Sequence, residues 1–131
     1  MLKELDLGLE NRMTAKVGLL SGGQRQALTL LMATIKRPKL LLLDEHTAAL
    51  DPKTAAKVLS LTERIIDRDK LTALMITHNM RDAMRYGKRL HMMYNVSISV
   101  AIAGAEQENL TTLELLLVFV TRRGTTTARQ T

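Results

Sequence analysis

Leu40 to Leu43 is an unbroken apolar run that stops on two adjacent carboxylates, Asp44 and Glu45. Pro38 bars the preceding helix from continuing into it, because proline lacks the N–H a helix needs and clashes with the turn before. Four leucines without polar alternation predict a strand of a parallel sheet, covered on both faces. In open α/β sheets ligands sit at the carboxyl ends of the strands, so this strand delivers Asp44 and Glu45 to the active edge. Two acids emerging side by side from a buried strand are costly unless they hold a cation or a proton in transit. An acidic strand end that merely caps the next helix is common for one carboxylate and less so for two. The pair therefore points to a magnesium–phosphate site.

At 131 residues and 46% hydrophobic content, the chain can bury one modest core. It has no cysteine, which excludes a disulfide framework and a thiolate metal site and fits a reducing compartment. The longest apolar run, Leu115 to Val120, falls far short of the ~20 residues that span a bilayer. The start, Met-Leu-Lys-Glu-Leu-Asp, lacks the basic-then-apolar form of a signal peptide, so a soluble cytoplasmic protein is expected. The net charge of +6 invites a nucleic-acid reading. Yet Arg122, Arg123 and Arg129 in an acid-free tail supply half of it, and Tyr86, Tyr94 and Phe119 are too few for a base-stacking platform. A solvated surface with a basic tail is the better account, and no nucleic-acid partner is expected.

Along the chain, Leu2 to Leu9 reads as a short amphipathic helix and Met13 to Leu20 as a connection. Ser21, with Gln24 three residues on, forms a capping box that opens a helix to about Lys36, with Leu28, Leu31, Met32 and Ile35 as its apolar stripe. After the Leu40 strand and a loop from His46 to Leu50, Asp51 is an N-cap and Pro52 takes the first helical position. Val58, Leu59, Thr62, Ile65 and Ile66 supply the buried face of that helix, and Asp67 to Lys70 its closing turn. Leu71 to Thr77 is a second apolar strand ending on His78. A short helix from Met80 to Tyr86 lies between Asn79 and Gly87. Arg89 to Tyr94 and Ser97 to Ala101 form a hairpin turning at Asn95, at the sheet edge. Thr111-x-x-Glu114 opens a last helix to about Val120, and the tail from Thr121 to Thr131 is expected to be disordered. This order predicts an α/β fold with a parallel core. His91 and the Met92-Met93 pair read as structural, the methionines as core filler.

Leu20-Ser21-Gly22-Gly23-Gln24 carries the second chemical signal. A helix N-terminus gathers unpaired N–H groups and the positive dipole end, and two glycines let an anion approach the backbone. A capping box with no ligand satisfies the same residues, and local physics does not choose between the two. His78 beside Asn79 is, by itself, more often a residue that leads into a helix than a catalyst. Asp51 is fully explained as an N-cap.

Taken in order, these stretches resemble the ABC-type ATPases. Leu20 to Gln24 is similar to their signature sequence and Leu40 to Glu45 to their Walker B strand. Thr47-Ala48-Ala49-Leu50-Asp51 resembles the D-loop, and His78 closes a strand as the family's switch histidine does. An ordered set of motifs is far more specific than any one of them. Asp44-Glu45-His46-Thr47 has the flavour of bacterial importers for small organic solutes. His46 stands where many members have Pro, and with no second His at ligand spacing it reads as a loop variant and not as a metal ligand.

The resemblance implies a partial P-loop NTPase core of the RecA-like ABC type, with parallel strands flanked by helices and a C-terminal hairpin plus helix. Residues 1–36 would end the helical subdomain and carry the signature helix, and 37–120 would be the remainder of the catalytic core. Asp44 would hold Mg2+, which wants oxygen ligands and keeps several waters. Glu45 would orient and deprotonate the attacking water, and His78 would hydrogen-bond the γ-phosphate. Ser21, Gly22, Gly23 and Gln24 would meet the ATP of a partner subunit, and Ala49, Leu50 and Asp51 would lie at the dimer interface. Implied partners are a second ATPase subunit and membrane permease subunits, which would place the chain on the inner face of the cell membrane.

A P-loop needs Gly-x-x-x-x-Gly-Lys-Ser/Thr to surround phosphates with N–H groups and a lysine, and no stretch here matches. Gly18 and Gly23 have the glycine spacing, but Gln24-Arg25 follow. The family's P-loop, adenine-stacking aromatic and glutamine loop lie upstream of the signature, where this sequence has twenty residues. The chain is therefore expected to be inactive alone and marginally stable, with an apolar strand edge and sheet face exposed. Two rival functions stand beside the transporter ATPase. One is a non-catalytic module lending its signature to a full-length subunit. The other is a head fragment of a DNA-repair ATPase, disfavoured because the residues before Ser21 hold no long heptad helix.

Overall fold

The computed structural model describes residues 2–104, 111–115 and 117. The tail from 121 and the end of the last expected helix, 118–120, lie outside the described residues. The chain divides into two compact units, Met1–Ile76 and Thr77–Thr131.

In the first unit, the amphipathic helix expected from Leu2 to Leu9 is instead two 3-10 turns, Leu2–Leu5 and Leu9–Asn11. Asp6 and Gly8 between them both take positive φ (51° and 67°), which an α-helix does not admit. A third 3-10 turn, Val17–Leu19, leads to α1, Gly22–Thr34. The Ser21/Gln24 capping box is present in both directions. Gln24 N donates to Ser21 Oγ at 3.2 Å and Ser21 N to Gln24 Oε1 at 2.9 Å. Arg37 turns to φ 45° just before Pro38, so α1 stops slightly short of Lys36.

The buried face of α1 differs from the expected stripe. Gly23, Ala27, Leu30, Leu31 and Thr34 face inward, whereas Met32 (67% exposed) and Ile35 (56%) face outward. Of the expected residues, Leu31 is buried and Leu28 packs partly against the core. The inward side is dominated by small residues because α1 packs closely on a second helix, and hydrophobicity does not single those residues out. The buried Thr34 hydroxyl donates to Leu30 O at 2.8 Å, so its burial leaves no lost hydrogen bond.

Strand β1, Leu41–Asp44, pairs in parallel with β2, Ala73–Ile76, in the register Leu42↔Leu74 and Asp44↔Ile76. Parallel neighbours need a crossover, supplied here by α2, Pro52–Asp69. α2 begins at the predicted Asp51–Pro52 and continues through the expected turn at 67–69, closing on Lys70 in the left-handed conformation (φ 52°). Its buried residues are Val58, Leu59, Leu61, Thr62 and Ile65, with Ile66 partly covered. Leu41 and Leu43 join Ala27, Leu30, Leu61 and Ile65 in one core.

β1 is covered on one face, not two. Leu41 and Leu43 are buried while Leu42 is 65% exposed, and Leu74 and Ile76 beside it on β2 are also exposed. Among the described residues β1 and β2 pair only with each other. The expected exposed apolar sheet face is thus present.

The second unit holds α3, Met80–Tyr86, whose amides at Arg81 and Asp82 donate to the Asn79 side chain. β3, Arg89–Tyr94, and β4, Ser97–Ala103, form an antiparallel hairpin that is a sheet of its own and not an edge of β1–β2. Leu90, Val100, Ile102 and Leu115 make its core, with Met92 packed against it. Met93, expected as filler, is exposed, because the register shifts between Met92 and Met93. His91 is exposed on β3. The second capping box also forms, with Thr111 N donating to Glu114 Oε2 at 2.7 Å and Glu114 N to Thr111 Oγ1 at 3.3 Å.

Candidate phosphate-handling site

β1 places Asp44 and Glu45 at its carboxyl end, as the run of leucines predicts. Asp44 is the last residue of β1, exposed, and opposite Ile76. Glu45 leaves the strand at φ 45°, a left-handed conformation that an L-residue adopts only at a cost of about 1–2 kcal/mol. Backbone hydrogen bonds on both sides of the residue help hold it there. Glu45 N donates to Ile76 O at 3.0 Å, tying the end of β1 to the end of β2, and Ala48 N donates to Glu45 O at 3.0 Å. Backbone strain of this kind, overruled by its surroundings, is concentrated at functional positions.

The following loop is pinned from beneath. His46 Nε2 lies 3.2 Å from Thr62 Oγ1, whose hydroxyl proton is already given to Val58 O at 2.8 Å. With that proton donated to Val58 O, the tautomer of His46 protonated at Nε2 satisfies the pair. Half-burial pushes the His46 pKa below its ordinary value. Burial thus favours the neutral form of this histidine, which props the loop against α2. A further turn, Leu50 N to Thr47 O at 3.1 Å, brings the chain to Asp51. Asp51 Oδ1 accepts from Thr54 N at 3.1 Å, and this hydrogen bonding with Thr54 holds its carboxyl below the ordinary range. Ala49 is exposed and Leu50 half-buried.

The Ser21–Gln24 turn lies in the same unit. Ser21 Oγ spends an acceptor position on Gln24 N and keeps its own proton to donate. The first-turn amides of Gly22 and Gly23 belong to those a helix leaves without an intrahelical partner. The Gln24 side chain is used twice internally, accepting from Ser21 N and donating through Nε2 to Leu7 O at 2.9 Å. Arg25 reaches back to Leu20 O at 2.6 Å. Gly23 is buried where an added Cβ would run into the Thr54 methyl, and a Cβ on Gly22 would lie 3.1 Å from Leu50 Cδ2. The structure therefore brings Gly22 and Gly23 beside Leu50 and Thr54. Thr54 is the residue that sequence reasoning missed, since nothing local marks a threonine two positions after a helix-starting proline.

His78 belongs to the second unit. It is exposed and precedes the Asn79 cap of α3. Among the described residues no three His, Cys, Asp or Glu side chains gather to hold a metal. Asp44 fits magnesium only in the way that ion is commonly held, by one or two carboxylates with waters and phosphate oxygens completing the shell.

The ABC transporter family model matches residues 1–48, which include Ser21–Gln24 and Asp44–Glu45. A tyrosine transport ATP-binding protein of Clostridioides difficile is 46% identical over 119 residues, 91% of this chain and 47% of that protein. An aliphatic sulfonates import ATP-binding protein of Burkholderia cenocepacia is 41% identical over 85 residues, 65% of this chain and 27% of its own length. The lipoprotein-releasing system ATP-binding protein LolD of a Ruegeria species is 38% identical over 86 residues, 66% of this chain and 38% of that protein. The chain spans about half the length of the first relative and less of the other two. No described helix is long and apolar enough to cross a membrane.

Proposed function

We propose that this chain, which belongs to the ABC transporter ATP-binding family, is the carboxy-terminal part of an ATP-hydrolysing subunit that powers transport through a membrane permease. The observation that carries the reading is the parallel β1–β2 register. It sets Asp44 and the strained Glu45 at the carboxyl end of β1, level with the end of β2 at Ile76, and His78 follows β2 two residues later in the sequence. In this reading residues 1–36 close the helical subdomain and 37–120 continue the catalytic core.

ATP binding, usually with Mg2+, goes with the family, and bound magnesium would supply charge neutralisation at the phosphates. The residues of this chain do the rest. Asp44 would hold the ion through a carboxylate oxygen. Glu45 accepts the proton of the attacking water at a carboxylate oxygen, and its backbone bond to Ile76 holds the main chain from which that side chain springs. His78 donates to a phosphate oxygen. The Ser21 hydroxyl and the amides of Gly22 and Gly23 face the nucleotide of a second subunit. Gln24 acts there by holding the turn, given its two internal bonds. Ala49, Leu50 and Asp51 meet that subunit. The exposed face of Leu42, Leu74 and Ile76 is covered by the part of the protein that the relatives have and this chain does not span.

The test is an in-frame fusion of this chain to the segment of the Clostridioides difficile relative that it does not cover. The fusion is expected to turn over ATP, and Glu45→Gln to lower that turnover at least about a hundredfold, as loss of a positioned base does. His78→Ala should lower it as well. Turnover that survives Glu45→Gln would overturn the reading.

A further inference from the structure

Two loops that the sequence presents as separate motifs, 21–24 and 46–51, are brought together at Leu50 and at Thr54 in the first turn of α2. Gly23 is buried in the first turn of α1, and a Cβ built on it overlaps Thr54 Cγ2 while standing 3.7 Å from Thr54 Cβ. The obstacle is thus the methyl alone and not the α2 backbone. Gly22 differs. Its Cβ would meet only the flexible tip of Leu50 at 3.1 Å, a contact that a small side-chain shift relieves. Thr54 is itself fixed, because its amide donates to Asp51 Oδ1. A continuous chain of contacts therefore runs from the Ser21–Gln24 capping box through Gly23 and Thr54 to Asp51 and the 47–50 turn.

We propose that Thr54 is a positioning residue whose methyl, seated against Gly23, locks the Ser21–Gln24 turn and the 46–51 loop into one body. The role rests on the functional reading above, in which both loops face the same second subunit. Close packing makes such a contact stiff, since a displaced methyl has no void to enter. A shift of the 21–24 turn on meeting a nucleotide is then carried to Asp51, and the reverse. The glycine at position 23 is required by the neighbouring helix of the same chain, independently of any anion.

Amide hydrogen exchange and thermal melting of the 131-residue chain test this without nucleotide, so failure here is distinct from failure of the ATPase reading. Thr54→Ser deletes the methyl and keeps the hydroxyl. It should speed exchange at Gln24 and Arg25, whose amides donate to Ser21, and at Leu50 in the other loop by a common factor, because the two open together. Gly23→Ala should lower the melting midpoint and Gly22→Ala should change it little. The double variant Gly23→Ala/Thr54→Ser should recover most of the loss, whereas Gly23→Ala/Thr54→Val, which retains a methyl, should not. Non-additivity of this kind is the mark of direct contact. Faster exchange confined to α2 in Thr54→Ser, or a double variant as unstable as the sum of its singles, would overturn the proposal.

Discussion

Val96 stands at φ 63° beside Asn95 at φ 48°, the paired left-handed geometry of a two-residue hairpin turn. A β-branched residue is strained there, and at 96% exposed it gains nothing from packing. Val96→Gly should therefore stabilise the hairpin unit by about 1 kcal/mol on the scale of left-handed strain, seen as a higher denaturation midpoint, and a lower midpoint would contradict the turn assignment. His46 makes a second residue-scale prediction. Burial lowers its pKa in the folded chain, so below the ordinary histidine value of 6.5 the unfolded chain binds the proton first. Its contribution to stability is whole above that pH and is lost as pH falls through the folded value. Stability should decline from about pH 6.5 downward, and His46→Gln should flatten that slope in urea titrations at successive pH values. An unchanged slope would mean that another group titrates. Asp51 follows the same sign at lower pH, its loss starting near 3.8 and vanishing in Asp51→Asn. At this scale the capping boxes at Ser21 and Thr111 were legible because both partners lie three residues apart in sequence. The positive φ of Glu45 and Val96 was not, since nothing in either side chain favours it.

At the scale of elements, the sheet has two different faces. Leu43 sits in the core with Leu61 and Ile65, and Leu43→Ala should cost about 2–5 kcal/mol, as buried leucine deletions do. Leu42, one residue away, points to the exposed side. Leu42→Thr should change stability by less than about 0.5 kcal/mol while raising the temperature at which the chain begins to aggregate. If Leu42→Thr proved as damaging as Leu43→Ala, the outer face would not be open in this chain. The four leucines in sequence announced a strand covered on both sides. That inference assumed the whole sheet, whereas the two described strands have helices packed on one side only. The turn of α1 toward its small residues was hidden for a related reason. Hydrophobic periodicity picks out Met32 and Ile35, but the face that a helix buries is set by what it packs against. Here α2 brings Thr54 against Gly23, which only a residue without a side chain can meet.

For the whole molecule, chain order carried most of the information. The succession of capped helix, leucine strand, acid pair, capped helix, strand and histidine indicated the α/β class and the family before any coordinates, because each motif has a local sequence signature. What order alone could not supply was the division after Ile76 and the hairpin as a sheet of its own, both products of contacts between distant residues. The central claim is that these 131 residues hold Glu45, the proposed base, without the phosphate cradle it serves. Steady-state ATP turnover by the isolated chain, with magnesium present, tests this most directly. The account predicts no turnover above that of the Glu45→Gln chain, and sustained turnover that Glu45→Gln abolishes would contradict it.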